Sequence, residues 1–169
     1  NHVGGKDDLL AAMTDHVVEE IALPSPASDW KAEMRKRALS AREVFTRHRW
    51  VPPLLVSSLN PGPAALRYVD ATIGCLHVAG FSYPMADHAW NAIDSHIYGF
   101  TLLEQNFPLE PDGYAEAAGE HLKNLPRDKF PHLHALASLV ANGQHSGVND
   151  FQLGLDILLD GLERWLRQS

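Results

Sequence analysis

Eleven prolines cut this 169-residue chain into segments that helices can fill and long strands cannot. They stand at Pro24 and Pro26, Pro52 and Pro53, Pro61 and Pro63, Pro84, Pro108 and Pro111, then Pro126 and Pro131. A proline has no backbone N–H to give and crowds the preceding turn, so it opens or stops a helix and is excluded from a central strand. Between the prolines, apolar residues recur every three or four positions with almost no two-residue alternation. The fold class is therefore all-α, a bundle of about six to seven helices.

The first periodic segment covers residues 6–22, with Leu9, Met13, Val17 and Ile21 on one face and Asp7 and Asp8 at the positive end of the helix dipole. The second follows Ser28, read as its N-cap, and runs to about residue 48 through Trp30, Met34, Ala38, Ala41 and Phe45. A short helix over 54–58 follows Pro52-Pro53. The next begins near Pro63 and ends at Gly80, a C-terminal cap. Ser82 caps a long helix that reaches Phe107. Weaker patterns cover 114–125 and 132–141, and a last helix covers 148–166.

That last helix carries two apolar surfaces. Phe151, Leu155, Leu158, Leu162 and Trp165 follow a 4-3-4-3 spacing, the seam of helices packed nearly side by side. Leu153, Ile157, Leu159 and Leu166 lie beside it, and Gly154 and Gly161 would permit close backbone approach. One reading is a subunit interface; the other is the central helix of a monomeric bundle. The 83–107 helix is similarly wide, through Trp90, Ile93, Ile97 and Phe100. Two such helices from each of two subunits would build an intermolecular four-helix bundle. On that reading Ile93, Ile97, Phe100, Phe151, Leu155, Leu158, Leu162 and Trp165 form the interface of a homodimer.

A net charge of −7 argues against general nucleic-acid binding by this segment, because phosphate contacts need clustered cations. Seven of the fourteen basic residues do fall between Lys31 and Arg49, but on a helix they spread over several faces, as in a solvated helix with one or two inward arginines. Cys75 is the only cysteine, so no internal disulfide forms and a cytoplasmic setting is the simplest expectation. No stretch approaches 18 consecutive apolar residues, so no membrane partner is expected. Ten histidines invite a metal or catalytic hypothesis, yet Glu-x-x-His and His-Glu-x-x-His are absent. Cys75-x-His77 and His132-x-His134 point apart on a helix. No catalytic residue, metal ligand or cofactor is assigned, and Cys75, set among Ile73, Leu76 and Val78, reads as an inert buried thiol.

Several stretches together resemble TetR-family transcriptional regulators. "NHVGGKDDLL" is similar to the junction in which the recognition helix of a helix-turn-helix passes through a turn into the next helix. "ALSAREVFTRHRW", "NPGPAALRYVDATIGCLHVAGFSYPMADHAW", "GFTLLEQ" and "FQLGLDILLDGLERWL" continue the likeness in order, closest to the branch with a C-terminal domain like that of the tetracycline repressor. The resemblance implies that residues 1–4 are the remnant of a recognition helix and turn, and that 5–169 are a ligand-binding and dimerisation domain. It implies a regulator, in all expectation a repressor and not an enzyme, that meets operator DNA through a preceding segment missing here.

The implied pocket lies between the second, third and fourth long helices and takes a small apolar or amphipathic effector. Its expected lining from the first two of these is Trp30, Met34, Arg37, Val69, Thr72, Ile73 and Leu76. Leu54 from the short helix and Trp90, Asn91, Asp94 and Tyr98 complete it, with Arg37 and Asp94 orienting the ligand by charge-assisted hydrogen bonds. Tetracycline-binding members carry His and Asn side chains at positions that fall on Ala22, Arg37 and Leu55, so a tetracycline–magnesium effector is rejected. A helical small-molecule enzyme and a purely structural dimerisation module stand as alternatives.

Overall fold

The computed structural model describes residues 5–26, 29–58, 60–108 and 110–168. Among these, eight α-helices and one 3-10 turn account for the regular structure: α1 (Lys6–Val18), α2 (Trp30–Arg47), α3 (Val51–Ser57), α4 (Pro63–Val78), α5 (Tyr83–Asn106), a 3-10 turn (Pro111–Gly113), α6 (Tyr114–Leu122), α7 (Pro131–Ala141) and α8 (Phe151–Arg167). The all-α expectation holds.

The residues up to Gln105, together with those from Phe151 onward, form one compact unit, and Asn106–Asp150 a second. Within the second, α6 packs against α7, and Leu125 and Val140 are its buried apolar residues. Within the first, α1 packs on α3 and α4, and α2 on α4. Its core gathers Met34, Ala38, Ala41 and Phe45 of α2, Tyr68, Cys75 and Leu76 of α4, Ala86, Ala89, Ile93 and Ile97 of α5, and Leu155 and Leu159 of α8.

Local chemistry sets most boundaries. Ser28, the expected cap of α2, lies outside the described residues; the Asp29 side chain accepts from the Lys31 N–H at 2.9 Å and caps the helix. At the end of α4 the Phe81 N–H reaches Leu76 O at 3.2 Å and the Gly80 N–H reaches His77 O at 3.0 Å, with Gly80 at φ 108°. That is a Schellman turn, which only glycine adopts without strain, and Leu76 and Phe81 close it from the core side. Ser82 opens α5, accepting from the Met85 and Ala86 N–H groups through its hydroxyl and carbonyl.

Two expectations are corrected. Helix α1 stops at Val18, four residues early, and Leu9 and Met13 are 48% and 44% exposed. Thr14, Val17 and Val18, all in its C-terminal half, are its buried residues, and Ile21 is buried in the loop beyond. The second correction concerns α8, whose 4-3-4-3 seam turns inward. Phe151, Leu155 and Leu162 belong to the chain's own core, as do Ile93 and Ile97 of α5, while Phe100 and Leu158 lie at its margin and Trp165 is 38% exposed. Five of these eight, Phe151, Leu155, Leu162, Ile93 and Ile97, are therefore taken up in this chain's own core. Of the other surface, Leu153 and Ile157 face outward, 59% and 64% exposed, whereas Leu159 is fully buried and Leu166 packs against the core. Gly154 likewise serves this chain: an added Cβ would sit 2.6 Å from Cε1 of His96, whose Nε2 lies 3.0 Å from Phe151 O.

Candidate ligand-binding site

Helix α4 turns Tyr68 and Thr72 inward, one turn apart, and α5 does the same with Trp90, Asp94 and Tyr98, each four residues from the next. Opposite them, the middle of α2 presents Arg37, which is fully buried. The three elements close on one polar cluster. Arg37 Nη1 lies 2.8 Å from Asp94 Oδ1 and also donates to the Tyr68 hydroxyl. Tyr68 donates to the same Asp94 oxygen at 3.2 Å, and the Trp90 indole donates to Asp94 Oδ2 at 2.8 Å. The guanidinium also lies over the Tyr68 ring, 4.9 Å from its centroid. Arg37 Nε and Nη2 are buried with no hydrogen-bond partner among the described residues.

The electrostatics follow from this enclosure. Burial works against the Arg37 charge, but Tyr68, Asp94 and Tyr98 outweigh it and hold its pKa above the ordinary arginine value. Burial, reinforced by the Asp94 charge, pushes both tyrosine hydroxyls above their usual range, so both are protonated donors at neutral pH. Asp94 is spent on three donors and neutralised by Arg37. It anchors the wall where α2, α4 and α5 meet.

Beside this cluster is a cavity of about 490 Å³. Tyr68, Trp90, Asp94 and Tyr98 form its polar and aromatic wall. Val18, Leu55, Ala65 and Val69 supply apolar surface, with Asn91 and Ser95 on the α5 side and Val56, Pro61 and Leu66 completing the lining. The size and the mixture of aromatic walls with a few polar groups suit a small organic molecule. A smaller cleft of about 290 Å³ lies between α1 and Leu54, Leu55, Pro61 and Gly62, and one of about 180 Å³ lies between the α1–α2 connection and the start of α4.

Of the residues expected to line a pocket, Val69, Trp90, Asn91, Asp94 and Tyr98 do so. Arg37 is brought to the site but sits behind Tyr68 and Asp94, bound to its expected partner and not to open space. Leu54 lines the smaller cleft. Met34, Thr72 and Leu76 are sealed in the core, Ile73 packs against it, and Trp30 stacks edge-on to Phe81 at 5.1 Å. The pocket thus opens on the N-terminal half of α4, because the C-terminal half is occupied by the Schellman turn, Phe81 and Trp30. Its walls are α3, α4 and α5 with Val18 of α1; α2 contributes only the buried Arg37. Val18, Leu55, Ala65, Tyr68 and Ser95 were not foreseen. The spacing of Tyr68 and Thr72 was a usable signal, since a tyrosine one turn from a threonine on an otherwise apolar face marks a polar patch within the core.

Residues 23–166 match the family described as "Tetracyclin repressor-like, C-terminal domain". The chain belongs to that family. Among relatives, it is 29% identical over 175 residues to the HTH-type transcriptional repressor Rv1353c of Mycobacterium tuberculosis, covering 97% of this chain and 66% of the relative. The chain thus spans slightly less than two thirds of that relative's length. Among solved structures, it is 26% identical to the TetR family protein ActR of Streptomyces coelicolor in complex with actinorhodin, with a TM-score of 0.78 over 98% of this chain and 79% of that one. ActR in complex with (S)-DNPA gives the same identity and TM-score over 96% and 78%. Among the described residues of this family member, no three His, Cys, Asp or Glu side chains are grouped to hold a metal ion, and no helix is long and apolar enough to cross a membrane.

Proposed function

We propose that this chain is the ligand-binding and dimerisation part, residues 5–169, of a cytoplasmic, homodimeric transcriptional repressor, and that a small apolar or amphipathic effector occupies the 490 Å³ cavity. The observation that carries the reading is the cavity's construction. Three aromatic side chains and a neutralised carboxylate face open space, and the Tyr98 hydroxyl, a strong donor, has no hydrogen-bond partner among the described residues. A core that only needed stability would fill that volume with side chains. The relatives' printed role as HTH-type repressors, and ActR's two ligand complexes, support the same assignment. DNA reading is assigned to a segment preceding α1, in line with the acidic balance of this part.

The thermodynamic requirement is differential binding. The effector must favour the arrangement that cannot hold operator DNA over the one that can, since equal affinity for both shifts nothing. Subunit pairing is assigned to the outward face of α8, around Leu153 and Ile157.

The test is tryptophan fluorescence and thermal melting with actinorhodin and a panel of planar aromatic molecules as probes. A ligand at a hundred times its Kd adds about 2.7 kcal/mol to stability. A probe that quenches Trp90, raises the melting temperature and loses both effects in Val69→Trp supports the reading. A panel with no such member, or one whose effects survive the filled cavity, overturns it. Light scattering of Ile157→Glu checks the pairing, with a monomer expected.

A further inference from the structure

The wall of the large cavity is rich in hydrogen-bond donors and poor in acceptors. Arg37, Tyr68 and Trp90 all bond to one carboxylate, that of Asp94. Even so, Arg37 Nε and Nη2 stay buried behind the wall with no partner among the described residues. Tyr98 is on the lining itself. Its ring packs on Phe45 with 5.5 Å between centroids, and its hydroxyl has no hydrogen-bond partner among the described residues. Burial and the Asp94 charge keep that hydroxyl protonated at neutral pH, so it can donate and has nothing to donate to. The other polar side chains of the lining lie on the solvent side. Asn91 Nδ2 is spent on Asp87, 2.8 Å from its carbonyl and 3.1 Å from its carboxylate, and Ser95 is exposed.

Two tyrosines and a tryptophan around a carboxylate also have the make-up of a cage for an organic cation. That occupant is disfavoured because the cluster already holds its cation. The Arg37 guanidinium lies over the Tyr68 ring, 4.9 Å from the centroid, and 2.8 Å from Asp94. A second cation would be attracted by Asp94 and repelled by Arg37 to similar extents, with nothing left to offset its lost hydration. A neutral carbonyl oxygen carries a far smaller dehydration cost. It accepts one hydrogen bond, which the Tyr98 hydroxyl can give, and brings no donor of its own to a wall already rich in them. Covering that hydroxyl with an apolar group instead would leave it unpaired, which costs more than the bond itself contributes.

We infer that Tyr98 is a specificity-determining residue of the cavity, selecting a neutral aromatic ligand with a carbonyl oxygen over its plain hydrocarbon and over a cationic amine. The inference rests on the effector-binding reading above and adds to it the chemistry of the effector.

The test uses three probes with one skeleton: fluorene, 9-fluorenone and 9-aminofluorene, the last a cation at neutral pH. Calorimetry gives their Kd values for the whole chain as wild type, Tyr98→Phe and Ser95→Ala. Fluorenone is expected to bind about tenfold more tightly than fluorene, the upper range for one hydrogen bond, and aminofluorene more weakly than either. Tyr98→Phe removes a hydroxyl that holds nothing among the described residues. It should bring fluorenone down to the level of fluorene while fluorene keeps its affinity. Ser95→Ala should keep the full preference. Bound fluorenone also reports directly, through a carbonyl stretch expected at lower infrared frequency in the wild type than in Tyr98→Phe. Four results overturn the inference and leave the cavity's ligand-binding role standing: equal binding of fluorene and fluorenone, a preference that survives Tyr98→Phe, one that is lost in Ser95→Ala, or tightest binding by aminofluorene. If none of the three binds, the effector-binding reading fails and takes this inference with it.

Discussion

The inward and outward faces of α2 make the same kind of bond and get different things from it. Facing inward, the fully buried Arg37 pairs with Asp94 at 2.8 Å behind the cavity wall, in a cluster shared with Tyr68 and Trp90. Facing α8, Lys31 reaches Asp160 at 2.7 Å and Glu163 at 3.3 Å, and Arg35 reaches Asp156 at 2.6 Å, all with substantial solvent access. The distances hardly differ. What differs is water: a surface pair trades hydration for a contact of similar worth, whereas a buried pair leaves its survivor stranded when one member is removed. The outward pairs trim the α2–α8 seam. The inward pair makes α2, α4 and α5 depend on one another.

The largest effect should come from breaking the inward pair. Arg37→Met leaves the Asp94 carboxylate buried without its cation and should cost about 3–5 kcal/mol, read by denaturant unfolding. The double variant Arg37→Met/Asp94→Leu removes both charges and should recover most of that loss. If the double variant is as unstable as the single, packing and not charge is what Arg37 provides.

An intermediate effect tests the inner side of α8, where its contacts are steric. Gly154→Ala drives a Cβ into the His96 ring, a neighbour that is half-buried and can give way only in part. About 1–3 kcal/mol of destabilisation is expected, the range for overpacking, measured as a shift in the unfolding midpoint.

The smallest effect belongs to the outward pair, and its signature is pH dependence. Hydrogen bonding to Lys31 holds Asp160 below its usual carboxylate value of 3.8, and the same bond, against a smaller cost of burial, holds Lys31 above 10.5. The Asp160 contribution is fully present above 3.8 and is lost as pH falls through its depressed value. The Lys31 contribution is fully present below 10.5 and is lost as pH rises through its raised value. Asp160→Asn should therefore melt at nearly the wild-type temperature throughout, with whatever gap exists confined to the window between and closing in acid. A gap as large as that of Arg37→Met would erase the contrast between the two faces.

The helices were legible in the sequence because the features that start and stop them are local. Gly80 and Ser82 mark their turns by residue type alone, as do the prolines. Helix α1 was read too long because Val17 and Ile21 continue its spacing, and spacing does not register that the backbone bends after Val18. The site was half legible. The family resemblance put Trp90, Asp94 and Tyr98 of α5 and Arg37 of α2 at the pocket, but a buried arginine and a buried aspartate read like any other charged residues until the helices that enclose them are placed. The cap of α4, where the Asp15 carboxylate accepts from the Ala64 and Ala65 N–H groups, was not legible at all, since Asp15 and Ala64 lie 49 positions apart.

What the sequence by itself determined is the set of helices, their order, and the existence of two apolar surfaces on α8. Those follow from dihedral preference, capping and the 3.6-residue period, which act over a few residues. Which surface of α8 faces home was decided only in the tertiary structure, and so were the half of α4 beside the cavity and the helix that caps α4. Each depends on what another part of the chain brings to the same place. A side chain's burial, and with it the worth of its charge, belongs to the assembled neighbourhood and is written in no single segment.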